Sequence, residues 1–208
     1  MIFANRHQAA DLLAAALADY KGRHPLILAI PRGAVPMGLQ LARALEGERD
    51  VVLVRKLRAP FNPEFAIGSV DESGWTYIAD YAESAGGTPA YLQQEKQTQL
   101  ETIRQRRAQY TPLRPPINPA GRIVIVVDDG LATGATMISA LHALRAQQPA
   151  RLICAVPVAP PDTLEKIRPY ADEVVCLHAP VSFRAVGQFY AEFPQIEDAE
   201  VEAILSQA

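Results

Sequence analysis

A chain of 208 residues with 49% apolar side chains can bury one sizeable core, and its formal net charge of -3 and pI of about 5.8 argue against a nucleic-acid binder, which carries a basic excess. It has no long uncharged apolar run and no charged-then-apolar leader, so neither a membrane span nor a signal peptide is expected and the chain reads as cytoplasmic. The two cysteines, Cys154 and Cys176, lie in apolar runs and read as reduced, buried side chains, with a cross-strand disulfide as the lesser alternative; the four histidines lack metal-ligand spacing, which argues against a zinc site.

Residues 5–20 carry Ala9, Leu12, Leu13, Ala16 and Leu17 at helical spacing, with Asn5 as N-cap and Lys21-Gly22 as stop. This helix packs on the core and is assigned no chemistry. Residues 26–30 form a short apolar strand that runs into Pro31-Arg32-Gly33-Ala34 and then a helix over 35–45. Arg-Gly at such a turn offers a guanidinium for an anion and a backbone free to approach it; taken alone, an ordinary turn with a solvated Arg fits better.

The next strand is expected over 50–54, with Arg55, Lys56 and Arg58 leaving its end before the turn-rich segment 59–65. Asn62 and Glu64 there can serve a ligand or the turn itself. Residues 66–70 and 75–79 read as a hairpin joined through Asp71-Glu72-Ser73-Gly74. After the Gly86-Gly87 break, Thr88 caps and Pro89 starts a long polar helix to about Tyr110, whose sparse apolar residues form one narrow stripe and whose last turns are basic. Three uses of this helix stay open: a surface helix, a homodimer contact, or a basic patch facing an anionic substrate. A proline-rich connector follows over 111–121. Residues 59–119 therefore form an insertion between core strands, too long for a plain loop and expected to have its own hairpin-plus-helix structure.

The most informative stretch is 123–136. Five β-branched apolar residues, suited to a strand buried on both faces, lead into Asp128-Asp129-Gly130-Leu131-Ala132-Thr133-Gly134-Ala135-Thr136 and a helical pattern of Met137, Ile138, Leu141 and Leu144. Backbone N–H groups of the turn and of the helix start converge, with the helix dipole behind them, and favour an anion. Thr133 and Thr136 add hydroxyl donors, and Gly134 permits close approach. Asp128 and Asp129 can accept hydrogen bonds from sugar hydroxyls, directly or through water on a divalent metal.

Buried strands recur over 151–157 and 173–177, with a short helix from Asp162 between them and a closing helix over 198–205. The alternation predicts an α/β chain: a doubly wound, mostly parallel sheet with helices on both faces, residues 1–208 forming a single domain with 59–119 as a lid and 179–208 as a C-terminal cover. Ligands of such sheets bind at the carboxyl ends of the strands. Among the tail aromatics, Phe183 and Tyr190 are the candidates for stacking on a planar acceptor; the others read as core.

The 123–136 stretch resembles the PRPP-binding motif of the type I phosphoribosyltransferases, an apolar strand, two acids and a Thr-Gly-x-Thr loop, with no gaps. The resemblance implies a transferase of nucleotide metabolism that uses PRPP and Mg2+, passes phosphoribosyl to a nitrogen acceptor and releases pyrophosphate. It implies that Gly130, Ala132, Thr133, Gly134, Ala135 and Thr136 hold the 5-phosphate and that Asp128 and Asp129 hold the ribose and, through water, the metal. It places Arg32 and Gly33 in the pyrophosphate loop, where a non-proline cis peptide is expected at Pro31-Arg32 or Arg32-Gly33. Lys56 is assigned to the diphosphate, and Arg55 or Arg58 less directly. Arg32, Lys56, Asp128 and Asp129 are thus the expected catalytic set. Ala132 stands where the hypoxanthine-guanine enzymes carry an Asp that serves the purine N7, which argues against a 6-oxopurine acceptor and leaves the acceptor open. The rival reading is a regulatory protein that senses PRPP or nucleotides without transfer.

Overall fold

The computed structural model describes residues 1–207. Its centre is β6 (Ile123–Val127), a run of β-branched residues in which Val124, Ile125, Val126 and Val127 are all buried. Burying each contributes about 1.5–3 kcal/mol relative to exposure, which fixes this strand in the interior. It pairs in parallel with β1 (Leu26–Ala29) and β7 (Arg151–Val158). β2 (Glu48–Val51) and β8 (Glu173–His178) complete a five-stranded parallel sheet of order β2-β1-β6-β7-β8. Ala29, Val127 and Ala155 are in register, so the chain leaves the three central strands at one level.

Alternation along the strands divides the core. Ile27, Ala29, Ile125, Val127, Ile153 and Ala155 face the side covered by α1 (Arg6–Ala16), α2 (Val35–Leu45) and α6 (Asp198–Leu205). Leu26, Leu28, Val124, Val126, Leu152 and Cys154 face the side covered by α4 (Ala135–Arg145) and α5 (Pro161–Ile167). The doubly wound sheet expected from the sequence is therefore present. Asn5 caps α1, its Oδ1 accepting from the Gln8 amide at 2.9 Å, and Asp198 opens α6 as expected. Among the described residues no helix is long and apolar enough to cross a membrane. Both cysteines are free thiols.

The insertion is built differently from the expectation. It begins at Val54, not Ala59: β3 (Val54–Ala59) turns through Pro60 and Phe61 into β4 (Asn62–Asp71), and β5 (Thr76–Ile78) follows, forming an antiparallel sheet of order β3-β4-β5. Arg55, Lys56 and Arg58 thus lie on a strand of the insertion and not at a core strand's end. The cations interrupt the apolar pattern, which is why the segment reads as a strand end. Asn62, Pro63 and Glu64, read as turn, begin β4.

Long helix α3 (Pro89–Tyr110), capped by Thr88, covers this small sheet. Its buried stripe includes Glu95 and Gln99, two polar residues one turn apart that meet β3: Arg58 Nε donates to Glu95 Oε1 at 2.7 Å, and Arg55 Nε to Gln99 Oε1 at 2.9 Å. Burial works to raise the proton affinity of Glu95. The hydrogen bonds from Arg58 and Gln99 outweigh it and hold the carboxyl below its usual range. Its stabilising contribution is therefore complete above the ordinary carboxylate pKa and lost as pH falls through the depressed value. Glu95→Gln is expected to cost about 1–3 kcal/mol, less than a fully buried pair because Arg58 is 37% exposed. Thermal melts at pH 7 and pH 4 should show the difference from the parent narrowing in acid.

The small sheet docks on α4 beside the 128–136 loop. Ser69 of β4 donates its hydroxyl to the Ala135 carbonyl and lies 2.5 Å from the Ser139 hydroxyl, while Trp75 stacks on His142 with centroids 3.6 Å apart.

Candidate active site

The loop after β6 starts the site. Gly130 (φ 157°) lies against Val186 and Val158, and the Leu131 amide donates to the Val158 carbonyl at 2.9 Å. Thr163 Oγ1 of α5 donates to the Ala132 carbonyl at 2.7 Å, pinning the loop from below. Gly134, at φ 80°, turns the chain into α4 without any side-chain cap. Among the described residues, the Ala132, Thr133 and Gly134 amides donate no hydrogen bond within the protein. Free amides at the start of an eleven-residue helix, with the Thr133 and Thr136 hydroxyls beside them, make a seat for an anion.

This loop forms one wall of a cleft of about 740 Å³, shared with Lys56, Tyr81, Lys166 and Phe183. Lys56 is drawn to the rim by Glu64, with Nζ 3.4 Å from Oε2 and 3.3 Å from its carbonyl. Of the sequence-derived candidates, Lys56, Gly130, Ala132, Thr133, Gly134, Ala135, Thr136 and Phe183 therefore share one cavity.

Asp128 and Asp129, at the end of β6 just before that loop, do not line the cleft and belong to a second cluster. Arg6 of α1 donates from Nε to Asp129 Oδ2 at 3.1 Å, and the guanidinium lies over the Phe193 ring at 4.0 Å. The Asp129 amide donates to Asp128 Oδ1 at 2.9 Å. Burial, then the neighbouring Asp129 charge, push Asp128 well above the usual carboxylate range. Burial also raises Asp129, with Arg6 opposing it. Gly33 lies so close that a Cβ there would overlap Asp129 Oδ2. The Pro31–Arg32 peptide is cis, at one of the two expected places. The Arg32 guanidinium turns away from the cleft towards α6, with Nη1 3.5 Å from Asp198 and 3.9 Å from Glu197.

Three expectations need correction. Tyr190 does not face the cleft: it is 6% exposed, stacks on Phe193, and donates its hydroxyl to the Asp129 carbonyl at 2.6 Å, so it braces the acid pair and has no face for an acceptor. α1, assigned no chemistry, supplies Arg6 to the site. The available signal was spacing, since Arg6 continues the buried stripe of Ala9, Ala10 and Leu13 one turn back, an unusual place for a cation. Arg55 and Arg58 face α3 through Gln99 and Glu95 instead of the cleft, and burial, with Arg106, Arg58 and Arg32 nearby, brings Arg55 down to about 10.

The donor set bears on a metal. Among the described residues no three His, Cys, Asp or Glu side chains gather as a metal cage. Two adjacent carboxylates suit a hard ion that keeps most of its water and takes further oxygens from a bound phosphate, as Mg2+ does.

Comparison with known proteins agrees with this architecture. The family model described as phosphoribosyl transferase domain matches residues 2–193. Rv0571c and MT0597 of Mycobacterium tuberculosis strains, whose names assign them provisionally to the phosphoribosyl transferases, are each 39% identical over 210 residues. The match covers 100% of this chain but 47% of theirs, so the chain spans about half the length of these curated relatives. The crystal structure of TT1426 from Thermus thermophilus is 44% identical, with a TM-score of 0.81 over 99% of this chain and 98% of that one. With a family model spanning residues 2–193 and an acid pair leading into a helix-start loop at the end of the central strand, the chain belongs to the phosphoribosyl transferase domain family.

Proposed function

We propose that the chain is a cytoplasmic phosphoribosyltransferase that uses PRPP and Mg2+ and transfers phosphoribosyl to a nitrogen of a small acceptor, releasing pyrophosphate. The observation that carries this reading is the uncapped start of α4: three loop amides with no internal partner, two threonine hydroxyls, and a carboxylate pair just upstream.

In this scheme the Ala132–Gly134 amides and the Thr133 and Thr136 hydroxyls bind the 5-phosphate. Asp128 and Asp129 accept from the ribose hydroxyls, and the negative charge the pair shares offsets the cationic sugar as the C1–oxygen bond to diphosphate breaks and the nitrogen–C1 bond forms. Gly33 lets the loop backbone approach the diphosphate, and Lys56 and Arg32 balance its growing charge on exchanging their carboxylate partners for it. Asp128 and Asp129 would hold Mg2+ through water, and the ion, when bound, would help neutralise charge on the leaving diphosphate. Phe183 offers its ring to the acceptor. Ala132 provides no carboxylate for the acceptor's proton, so the proton leaves through solvent.

Incubation with PRPP and Mg2+ across a panel of nitrogenous bases, following pyrophosphate release, tests the proposal. Release dependent on one base supports transfer and identifies the acceptor; tight PRPP binding with no release from any base favours the sensing role. Asp129→Ala is expected to weaken PRPP binding about 10- to 100-fold, the worth of a hydrogen bond to a charged group, in a protein that still folds. An unchanged dissociation constant would remove the acid pair from the site.

A further inference from the structure

Arg6 is a half-buried cation that the scheme above does not use. Its side chain is 11% exposed and engages two distant parts of the chain: Asp129 at 3.1 Å, and the tail through the Pro194 carbonyl, 2.5 Å from Nη1, and the Phe193 ring. The chain around it is fixed as well. Asn5 caps the helix on which Arg6 sits, and Phe3 and Ala4 pair with the tail through Phe3 N to Phe189 O, Ala191 N to Phe3 O and Glu192 N to Ala4 O. Tyr190 of that tail holds the Asp129 backbone carbonyl. N-terminus and tail thus close on Asp129 from behind, one gripping its side chain and the other its main chain.

Such a grip fixes the geometry of the pair. Asp128 and Asp129 crowd one another at the strand end, and without Arg6 no cation would hold the Asp129 carboxyl in its place. Among the described residues Arg6 is the one cation ion-paired with either of them. Gly33 on the neighbouring turn leaves room for this arrangement: a Cβ there would come within 3.3 Å of Arg6 Nη2 as well as overlapping Asp129.

We propose that Arg6 is a positioning residue that holds Asp129 beside Asp128, so that the pair clamps the two vicinal hydroxyls of a ribose 5-phosphate unit. The proposal rests on the sugar-phosphate reading of the site and adds a residue to it from outside the 123–136 stretch.

The test compares ribose 5-phosphate with its 2,3-dideoxy analogue, which has the phosphate but not the hydroxyls, by titration calorimetry on the full chain. The parent protein should prefer the ribose compound. Arg6→Met should lose about 10- to 100-fold in affinity for ribose 5-phosphate and keep its affinity for the analogue. Arg6→Lys, which retains the charge but cannot span Asp129 and Pro194 together, should lose about 2- to 10-fold, again for the ribose compound alone. It also serves as the working variant if Arg6→Met does not fold. Equal loss for both ligands, or no loss, overturns the positioning role while leaving the sugar-phosphate site standing. A parent protein that binds both ligands alike overturns that site, and this proposal with it.

Discussion

Gly33→Ala is expected to lower affinity for ribose 5-phosphate on the order of 100-fold, since it disturbs a charged hydrogen-bond acceptor and its guanidinium partner together. Gly33 is not in the left-handed region, so alanine meets no backbone penalty there. The whole effect comes from the added methyl, which would overlap Asp129 Oδ2 and crowd Arg6 Nη2. Neither neighbour is the loose end of a surface chain, because each holds the other. The carboxylate must therefore leave its place beside Asp128. Inorganic phosphate, which needs the 132–136 loop alone, should bind the variant as it binds the parent. Calorimetry with both ligands reads the difference, and undiminished affinity for the sugar phosphate would show that Asp129 need not stand where it does.

Gly134→Val acts through the fold and the anion seat at once. Gly134 has φ 80°, and a Cβ there would lie 2.9 Å from Thr163 Cγ2 and 3.3 Å from Ile167 Cδ1. The left-handed conformation costs about 1–2 kcal/mol for an L-residue, and forcing a side chain against a packed helix costs about 1–3 more. A total of about 3 kcal/mol corresponds to a fall of roughly 6–12 °C in melting temperature for a chain of this size. Thr163 also pins the loop through Ala132, so displacing it should take the phosphate affinity as well. Gly121→Ala is the comparison: φ is 70° there, but nothing lies within 4 Å, so only the conformational part of the cost should appear. Equal melting temperatures for the two variants would show that α5 does not buttress the loop.

The contrast between these glycines runs through the whole molecule. The anion seat could be read locally, because strand, acids, loop and helix follow one another over fourteen consecutive positions. The Ala132, Thr133 and Gly134 amides are consecutive and lie just before α4, although Thr163 from α5 pins the loop that carries them. The caps at Asn5 and Thr88 and the bounds of α6 were legible for the same reason, each being set by its own few residues. The small sheet was less legible. Arg55, Lys56 and Arg58 break the apolar alternation of β3, and their partners Gln99, Glu64 and Glu95 lie on other segments.

The sequence by itself determined the parallel α/β architecture, the family and the uncapped loop at the start of α4, since β-branched runs, helix-start chemistry and adjacent carboxylates act over short separations. Tertiary structure alone decided that Arg6, 123 positions from Asp129, grips the acid pair, that Tyr190 braces it from behind, and that Arg32 turns to the tail. These contacts depend on which ends of the chain the sheet brings together. A guanidinium reads the same in a sequence whether it meets water or a buried carboxylate.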